Sequence, residues 1–352
     1  MTSVLRAAPT CATPIATHDR VVLGHGSGGK LSNALVRDRF LPHFSSNALR
    51  QLGDAAVVSL GQDRIAVSTD TFVVSPLEFP GGNIGTLAIN GTVNDLAMMG
   101  AQPCYLTAGF VLEEGLPFDV LDRIVAAMAN AARIAGVQLI AGDTKVVERG
   151  KGDGMFINTT GIGLVDDDFR PSPSRVSPGD VIIVSGPIGV HGMTILSTRE
   201  GLEFSGDLAS DTACLYPLVR ALRDATEGEV SALRDPTRGG VASTLNEIAA
   251  ASGVGMVIEE DAAPIPAPVA GACEMLGLDP LYVANEGSFV AFVPSARADK
   301  AVAALREHPL GRHACRIGSV VADHPRTVVM KTRMGGTRIV DLLPGDQLPR
   351  IC

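Results

Sequence analysis

Acidic groups stand beside small turn residues at four places in the first half of this chain: Asp54, the Ser68-Thr69-Asp70 step, Asn94-Asp95, and Gly142-Asp143-Thr144-Lys145. Each reads as the end of a strand, where Asp and Asn next to Gly are common turn formers. Four such steps in one half also supply hard oxygen ligands from several loops, which is what Mg²⁺ needs when it also holds substrate phosphates. Asp54, Asp70, Asp95 and Asp143 are the expected metal ligands. Lys145, two residues past Asp143, would set a compact ammonium beside a transferred phosphoryl group. Arg234-Asp235-Pro236-Thr237-Arg238-Gly239-Gly240 gathers two guanidiniums, an acid and a helix-opening glycine pair within seven residues. The pairs Gly28-Gly29 and Gly81-Gly82 also precede helices, whose first N–H groups and positive dipole end suit an anion. None fits the GxxxxGK[ST] loop, and Gly24-His25-Gly26-Ser27-Gly28-Gly29 is not a convincing GxGxxG. The last residue, Cys352, follows Leu348-Pro349-Arg350-Ile351. A thiol on such a tail can enter a site on its own molecule or on another, and Pro349 stiffens the approach by fixing φ.

The elements that must hold these groups follow from composition and spacing. With 352 residues, 46% hydrophobic and 19% charged, the chain has material for about two folded domains. Aromatics are only 4% with no Trp, too few for the stacking platforms of single-stranded nucleic-acid binders. A net charge of −9 argues against a phosphate-backbone partner, so any nucleotide phosphate has to be neutralised locally. The 6 cysteines are scattered, with no CxxC pair and no zinc spacing. No apolar run approaches the roughly 18 residues of a membrane span and no signal peptide is legible. A cytoplasmic, reducing location is expected, which keeps Cys352 a free thiol.

Residues 1–19 read as a disordered leader. A glycine-rich loop at 24–30 then opens a helix with Leu31, Leu35 and Phe40 on one face. Strands are expected at 55–60, 64–68, 103–112, 137–141 and 155–165, with helices at about 84–99 and 118–135. The Pro- and Ser-rich stretch 166–180 is the domain boundary. It separates a first domain, 20–165, from a second α/β domain, 175–333. The second is expected to carry strands at 181–185, 256–259, 288–293, 315–320 and 327–330. Its helices begin near 189, at 239–240 and at 296. From 334 the chain reads as a mobile tail with hinges at Gly335-Gly336 and Pro344-Gly345. Fully extended, it spans roughly 60 Å.

The segments STDTFVVSPLEFPGGNIGTLAINGTVNDLAMMGAQP (68–103), AGDTKVVERG, RDPTRGG, Ala284-Asn285-Glu286-Gly287 and the terminal PRIC resemble the HypE family of hydrogenase maturation factors. That family consists of carbamoyl dehydratases in the aminoimidazole-ribonucleotide-synthetase (PurM-like) superfamily. The resemblance implies a two-domain PurM-like α/β (α+β) fold, with the N-terminal sheet closing a β-barrel across a homodimer and ATP with Mg²⁺ between the domains. It implies that Asp54, Asp70, Asn94, Asp95, Asp143 and Thr144 occupy nucleotide and metal motifs. His25, Lys30, Arg234, Asp235, Arg238 and Gly239 fall in motifs near the nucleotide. Cys352 would carry an S-carboxamide dehydrated to a thiocyanate, with Lys145 and Glu286 the polar pair that meets it. The implied partners are a carbamoyltransferase, HypF, and an iron-carrying HypC–HypD complex that receives cyanide for a [NiFe]-hydrogenase. One departure is Leu52-Gly53-Asp54-Ala55, where superfamily relatives often carry paired acids. Rival readings are a superfamily enzyme acting on a free substrate, such as a selenophosphate synthetase or thiamine-monophosphate kinase, and a non-catalytic scaffold that docks by its tail.

Overall fold

The computed structural model describes residues 20–26, 28–44, 46–166, 168–202, 208–343, 348 and 350–352. The leader 1–19 and the expected hinge Pro344-Gly345 lie outside the described residues. A short helix α1 (Gly29–Leu35) is followed by the strands β1 (Ala56–Leu60) and β2 (Asp63–Phe72) and a two-residue hairpin of β3 (Glu78–Phe79) and β4 (Gly82–Asn83). The helix α2 (Ile84–Met98), β5 (Ala101–Glu113), α3 (Phe118–Ala135), β6 (Gln138–Val147) and β7 (Met155–Val165) complete this half. The second half runs β8 (Asp180–Val184), α4 (Val190–Glu200), α5 (Tyr216–Thr226), β9 (Ala232–Arg234), α6 (Gly240–Ser252) and β10 (Gly255–Glu259). It continues through α7 (Ala267–Leu276), β11 (Val290–Pro294), α8 (Ala298–Glu307), β12 (Cys315–Val321), β13 (Val328–Lys331) and β14 (Thr337–Val340).

The first sheet has the order β1-β2-β7-β5-β6, and the second β14-β13-β10-β12-β8-β11-β9. Alternation decides which face each strand buries. In β7, Met155, Ile157, Thr159, Gly161 and Gly163 are buried while their neighbours face outward. Gly161 admits α2, since a Cβ there would lie 2.8 Å from Thr92 Cγ2. That helix starts on a capping box in which the Asn83 side chain accepts from the Gly85 and Thr86 backbone amides and Thr86 answers the Asn83 amide. It is buried on nearly all sides, with the first sheet against one face and the second domain against the other. The opposite face of the first sheet is open. Tyr105, Val111 and Leu164 there are exposed, as are Leu139, Ile140 and Val146 along the edge strand β6.

Three expectations are corrected here. β2 continues to Phe72, so Ser68-Thr69-Asp70 lies within a strand and not at its end. β6 runs through Gly142-Asp143-Thr144-Lys145 as an edge strand parallel to β5, pairing Asp143 with Gly109 and Lys145 with Val111. The chain does not become a tail at 334, because β14 pairs antiparallel with β13. Gly335-Gly336 is therefore the tight turn of that hairpin, with the Gly335 amide donating to Thr332 O at 2.9 Å, and not a hinge. The helices α5 and α7 and the strands β9 and β14 have no counterpart in the sequence reading. In α5 a recognisable signal exists, since Leu218, Val219 and Leu222 fall on one buried face.

Candidate active site

A cavity of about 490 Å³ opens between the two sheets' domains. Asp54 reaches it from the loop before β1, Asp70 from β2 and Asp95 from α2. Arg234 enters from the end of β9, and Asp235 and Arg238 from the loop between β9 and α6. Glu286 and Cys352 complete the wall, with His25 at the rim.

Local structure explains the convergence. Asn285 ties two loops together: its backbone amide and its side-chain Nδ2 both donate to Pro236 O at 3.0 Å, which sets Glu286 beside Asp235. Asp211 Oδ1 accepts from the Glu286 amide at 3.1 Å. Asn94 lies behind the cavity wall, its Nδ2 donating to Ala213 O at 3.0 Å and its Oδ1 accepting from the Leu215 amide at 2.8 Å. It positions α2 against the second domain and does not line the cavity. Gly239 caps α6 at φ 77°, and a Cβ there would lie 2.1 Å from Ser243 Oγ, so only glycine fits.

Among the described residues, six side-chain carboxyls, of Asp54, Asp70, Asp95, Asp235, Glu247 and Glu286, share the cavity with two guanidiniums, of Arg234 and Arg238. Arg234 Nε meets Asp54 Oδ1 at 2.6 Å and Arg234 Nη2 meets Glu247 Oε2 at 3.0 Å. Ser68 Oγ donates to Asp95 Oδ2 at 2.5 Å. Two cations do not balance six acids. Burial pushes Asp54 well above the usual carboxylate range against the pull of Arg234, and burial with the nearby Asp70 does the same to Asp95. Asp235 rises to about 6, again mainly through burial. Glu286 is also held well above its ordinary value, first by burial and then by Asp235, Asp211 and Asp70. Arg238 is raised foremost by negative charge at Cys352.

A cation fits this imbalance. Carboxylate oxygens of Asp54, Asp95 and Asp235 all lie within 4.8 Å of one another. Asp54 Oδ2 is buried without a hydrogen-bond partner. Three hard oxygen donors with a spare lone pair suit a divalent ion of the Mg²⁺ type. Asp235, the third member of this cluster, is not among the metal ligands expected from the sequence, and Asp70 stands close by.

Asp143, Thr144 and Lys145 are not brought to this cavity. Lys145 Nζ pairs with Asp143 Oδ2 at 2.5 Å on the exposed face of the first sheet. Asp143 and Lys145 border a smaller cavity of about 170 Å³. Thr71 lines both cavities and is the point nearest common to them. Lys30 also turns away, to Asp341 Oδ2 at 2.8 Å. Glu247 and Thr244 line the cavity from α6 and were not anticipated, although they follow the Gly239-Gly240 pair at about one and two helical turns.

Cys352 arrives on a docked chain end. The Val73 amide donates to Cys352 O at 3.0 Å and the Ser75 amide to Arg350 O at 3.4 Å. Leu348 and Ile351 are buried, in one apolar cluster with Ile84 and Leu87 of the first domain and Met193 and Val283 of the second.

Family models described as "AIR synthase related protein, N-terminal domain" and "AIR synthase related protein, C-terminal domain" match residues 52–165 and 177–331. "Carbamoyl dehydratase HypE" of Azotobacter vinelandii is 54% identical over 332 residues, covering 94% of this chain and 97% of that protein. Among solved structures, the HypE–HypF complex superposes with a TM-score of 0.83 at 45% identity, covering 88% of this chain and 100% of that one. HypE in complex with ATP superposes at 0.79 with 51% identity, covering 95% and 100%.

Proposed function

This chain belongs to the HypE family of carbamoyl dehydratases, and from that membership we propose that it uses ATP to dehydrate an S-carboxamide on its own Cys352 to a thiocyanate, the source of a cyanide ligand for [NiFe]-hydrogenase. It is an enzyme of hydrogenase maturation. The carrying observation is that Cys352 lies in the same cavity as the acid cluster and Glu286 of its own chain. A thiamine-monophosphate kinase or selenophosphate synthetase would have no use for that placement, and a scaffold would have no use for the cluster.

The chemistry balances as carboxamide plus ATP giving thiocyanate, ADP and phosphate. The carboxamide oxygen, a poor leaving group, takes the γ-phosphoryl; loss of phosphate and of the N–H protons then leaves S–C≡N. Arg238, beside the negative charge at Cys352, orients the tail end and meets charge on the transferred group. Glu286 stands as the base, because a buried carboxylate with a raised proton affinity removes an amide proton more readily than an exposed one. Asp54, Asp95 and Asp235 would hold Mg²⁺, with Asp70 beside them, and the ion would neutralise phosphate charge during transfer. The loop 24–30 and the start of α6 supply the nucleotide's backbone donors, alongside His25 and Gly239.

The open face of the first sheet supports a homodimer closed through it, since Tyr105, Val111 and Leu164 form an exposed apolar band there. In such a dimer Asp143, Thr144 and Lys145 lie at the seam, and Lys145 reaches the nucleotide as a subunit-bridging cation and not from within its own cavity. The working division is a nucleotide domain at 20–165 and a second domain at 175–333. HypF as the carbamoyl donor and an iron-carrying HypC–HypD complex as the acceptor complete the scheme. Mass analysis of the C-terminal peptide after carbamoylation and ATP treatment tests it: loss of one water is expected, with none in Cys352→Ala, and an unchanged carboxamide refutes it.

A further inference from the structure

The tail does not lie loosely in its slot. The carbonyls of its last three residues each find a donor: Arg350 O from the Ser75 amide at 3.4 Å and from Arg199 Nη2 at 2.5 Å, Ile351 O from His191 Nε2 at 2.7 Å, and Cys352 O from the Val73 amide at 3.0 Å. These main-chain bonds join residues 73 and 75 to residues 352 and 350, so the two segments run in opposite directions, while Arg350 turns at φ 57° instead of extending. Arg199 Nε also donates to Ser75 O at 2.8 Å, so one guanidinium bridges the tail and the segment that receives it.

His191 is the least expected member. It is fully buried on α4, its Nδ1 lies 2.7 Å from Ser210 Oγ, and its ring meets Phe79 edge-on at 5.7 Å. The dehydration chemistry makes no use of it. With Nδ1 accepting from the Ser210 hydroxyl, Nε2 carries the proton and donates to the tail. Side chains add selection: Arg350 pairs with Asp153, Ile351 is buried, and Leu348 Cδ1 sits where a Cβ on Gly192 would come within 3.3 Å.

We infer that His191, Arg199 and Asp153, with the backbone of residues 73–75, form a peptide-binding groove for a C-terminal segment of the form Leu-Pro-Arg-Ile-Cys, and that its recognition does not depend on the covalent link to the rest of the chain. It is recognition of an irregular chain end, in which main-chain bonds hold the peptide and side-chain pockets select it. The link only raises the local concentration of a ligand the groove binds by itself. These three are positioning residues for Cys352. The inference deepens the dehydratase reading and rests on it only for the identity of the group delivered.

The test uses the full chain and no nucleotide. A synthetic peptide Pro-Gly-Asp-Gln-Leu-Pro-Arg-Ile-Ser, unreactive because Ser replaces Cys, is added in excess while a thiol reagent labels the protein, and mass mapping follows Cys352. Displacement of the tail is expected to accelerate Cys352 labelling several-fold and saturably, with a scrambled peptide inert. His191→Phe is expected to accelerate labelling about tenfold without peptide, and His191→Gln, which restores a donor, to return it toward the native rate. A labelling rate unchanged up to millimolar peptide overturns the inference, as does equal acceleration by the scrambled sequence. Should the native chain's own carboxamide fail to lose water, the dehydratase reading falls while the peptide result stands.

Discussion

At the scale of single residues, Glu286 is the sharpest case. Its carboxyl is buried among Asp235, Asp211 and Asp70, and all of these raise its proton affinity. A base must be unprotonated to act, so turnover is expected to rise with pH through a midpoint well above the ordinary carboxylate range, and to fall as pH drops below it. Glu286→Gln should lower kcat by about 10²- to 10⁴-fold and flatten that limb; a profile left intact in the variant would move the base elsewhere. Asp54 and Asp95 stand out in the sequence as acids beside small turn residues, and Glu286 only through the resemblance of Ala284-Asn285-Glu286-Gly287; all three line the cavity. Asp235 was read as near the nucleotide but not as a metal ligand, since nothing in Arg234-Asp235-Pro236 tells which way a carboxylate turns. Lys145 was placed beside the phosphoryl group by its nearness to Asp143, yet alternation along β6 sends both to the open face of the sheet.

At the scale of elements, the docked tail and α4 act as one unit through His191. Burial holds its imidazole down from 6.5 to about 4, opposed only by the bond to Ile351 O. Between those two values the folded protein binds fewer protons than the unfolded chain, so the packing around the ring is fully stable above about pH 6.5 and weakens as pH falls toward 4, by up to roughly 3 kcal/mol. Hydrogen exchange at the Val73 and Ser75 amides, corrected for its intrinsic pH dependence, is expected to show protection at pH 7 that declines by pH 5; constant protection would contradict it. This unit was not legible. A lone histidine on a helix carries no pattern, and the main-chain bonds beside it join residues nearly three hundred positions apart. The hairpin of β13 and β14 was missed for a nearer reason: Gly335-Gly336 suits a turn and a hinge equally well, and only the pairing of Thr337–Val340 with β13 decides between them.

At the scale of the whole molecule, two sheets and the helices between them were largely readable from alternation and glycine punctuation, whereas the contacts across the domain junction were not. The first sheet leaves an apolar face uncovered, and Leu164 is 51% exposed on it. Leu164→Lys is expected to shift the chain from dimer to monomer in sedimentation while leaving its secondary structure intact, and to lower ATP-dependent turnover by withdrawing Lys145 from the seam. An active monomer would show that one chain suffices. The apolar cluster that takes in Leu348 and Ile351 spans both domains, so the tail is part of the joint between them. Withdrawing those two side chains into water raises the heat capacity, as any exposure of apolar surface does. The docked fraction therefore passes through a maximum with temperature, falling on cooling as well as on warming. Delivery of the cyanide-bearing end is then a thermally tuned step, hindered most in the middle of the range where the joint is tightest.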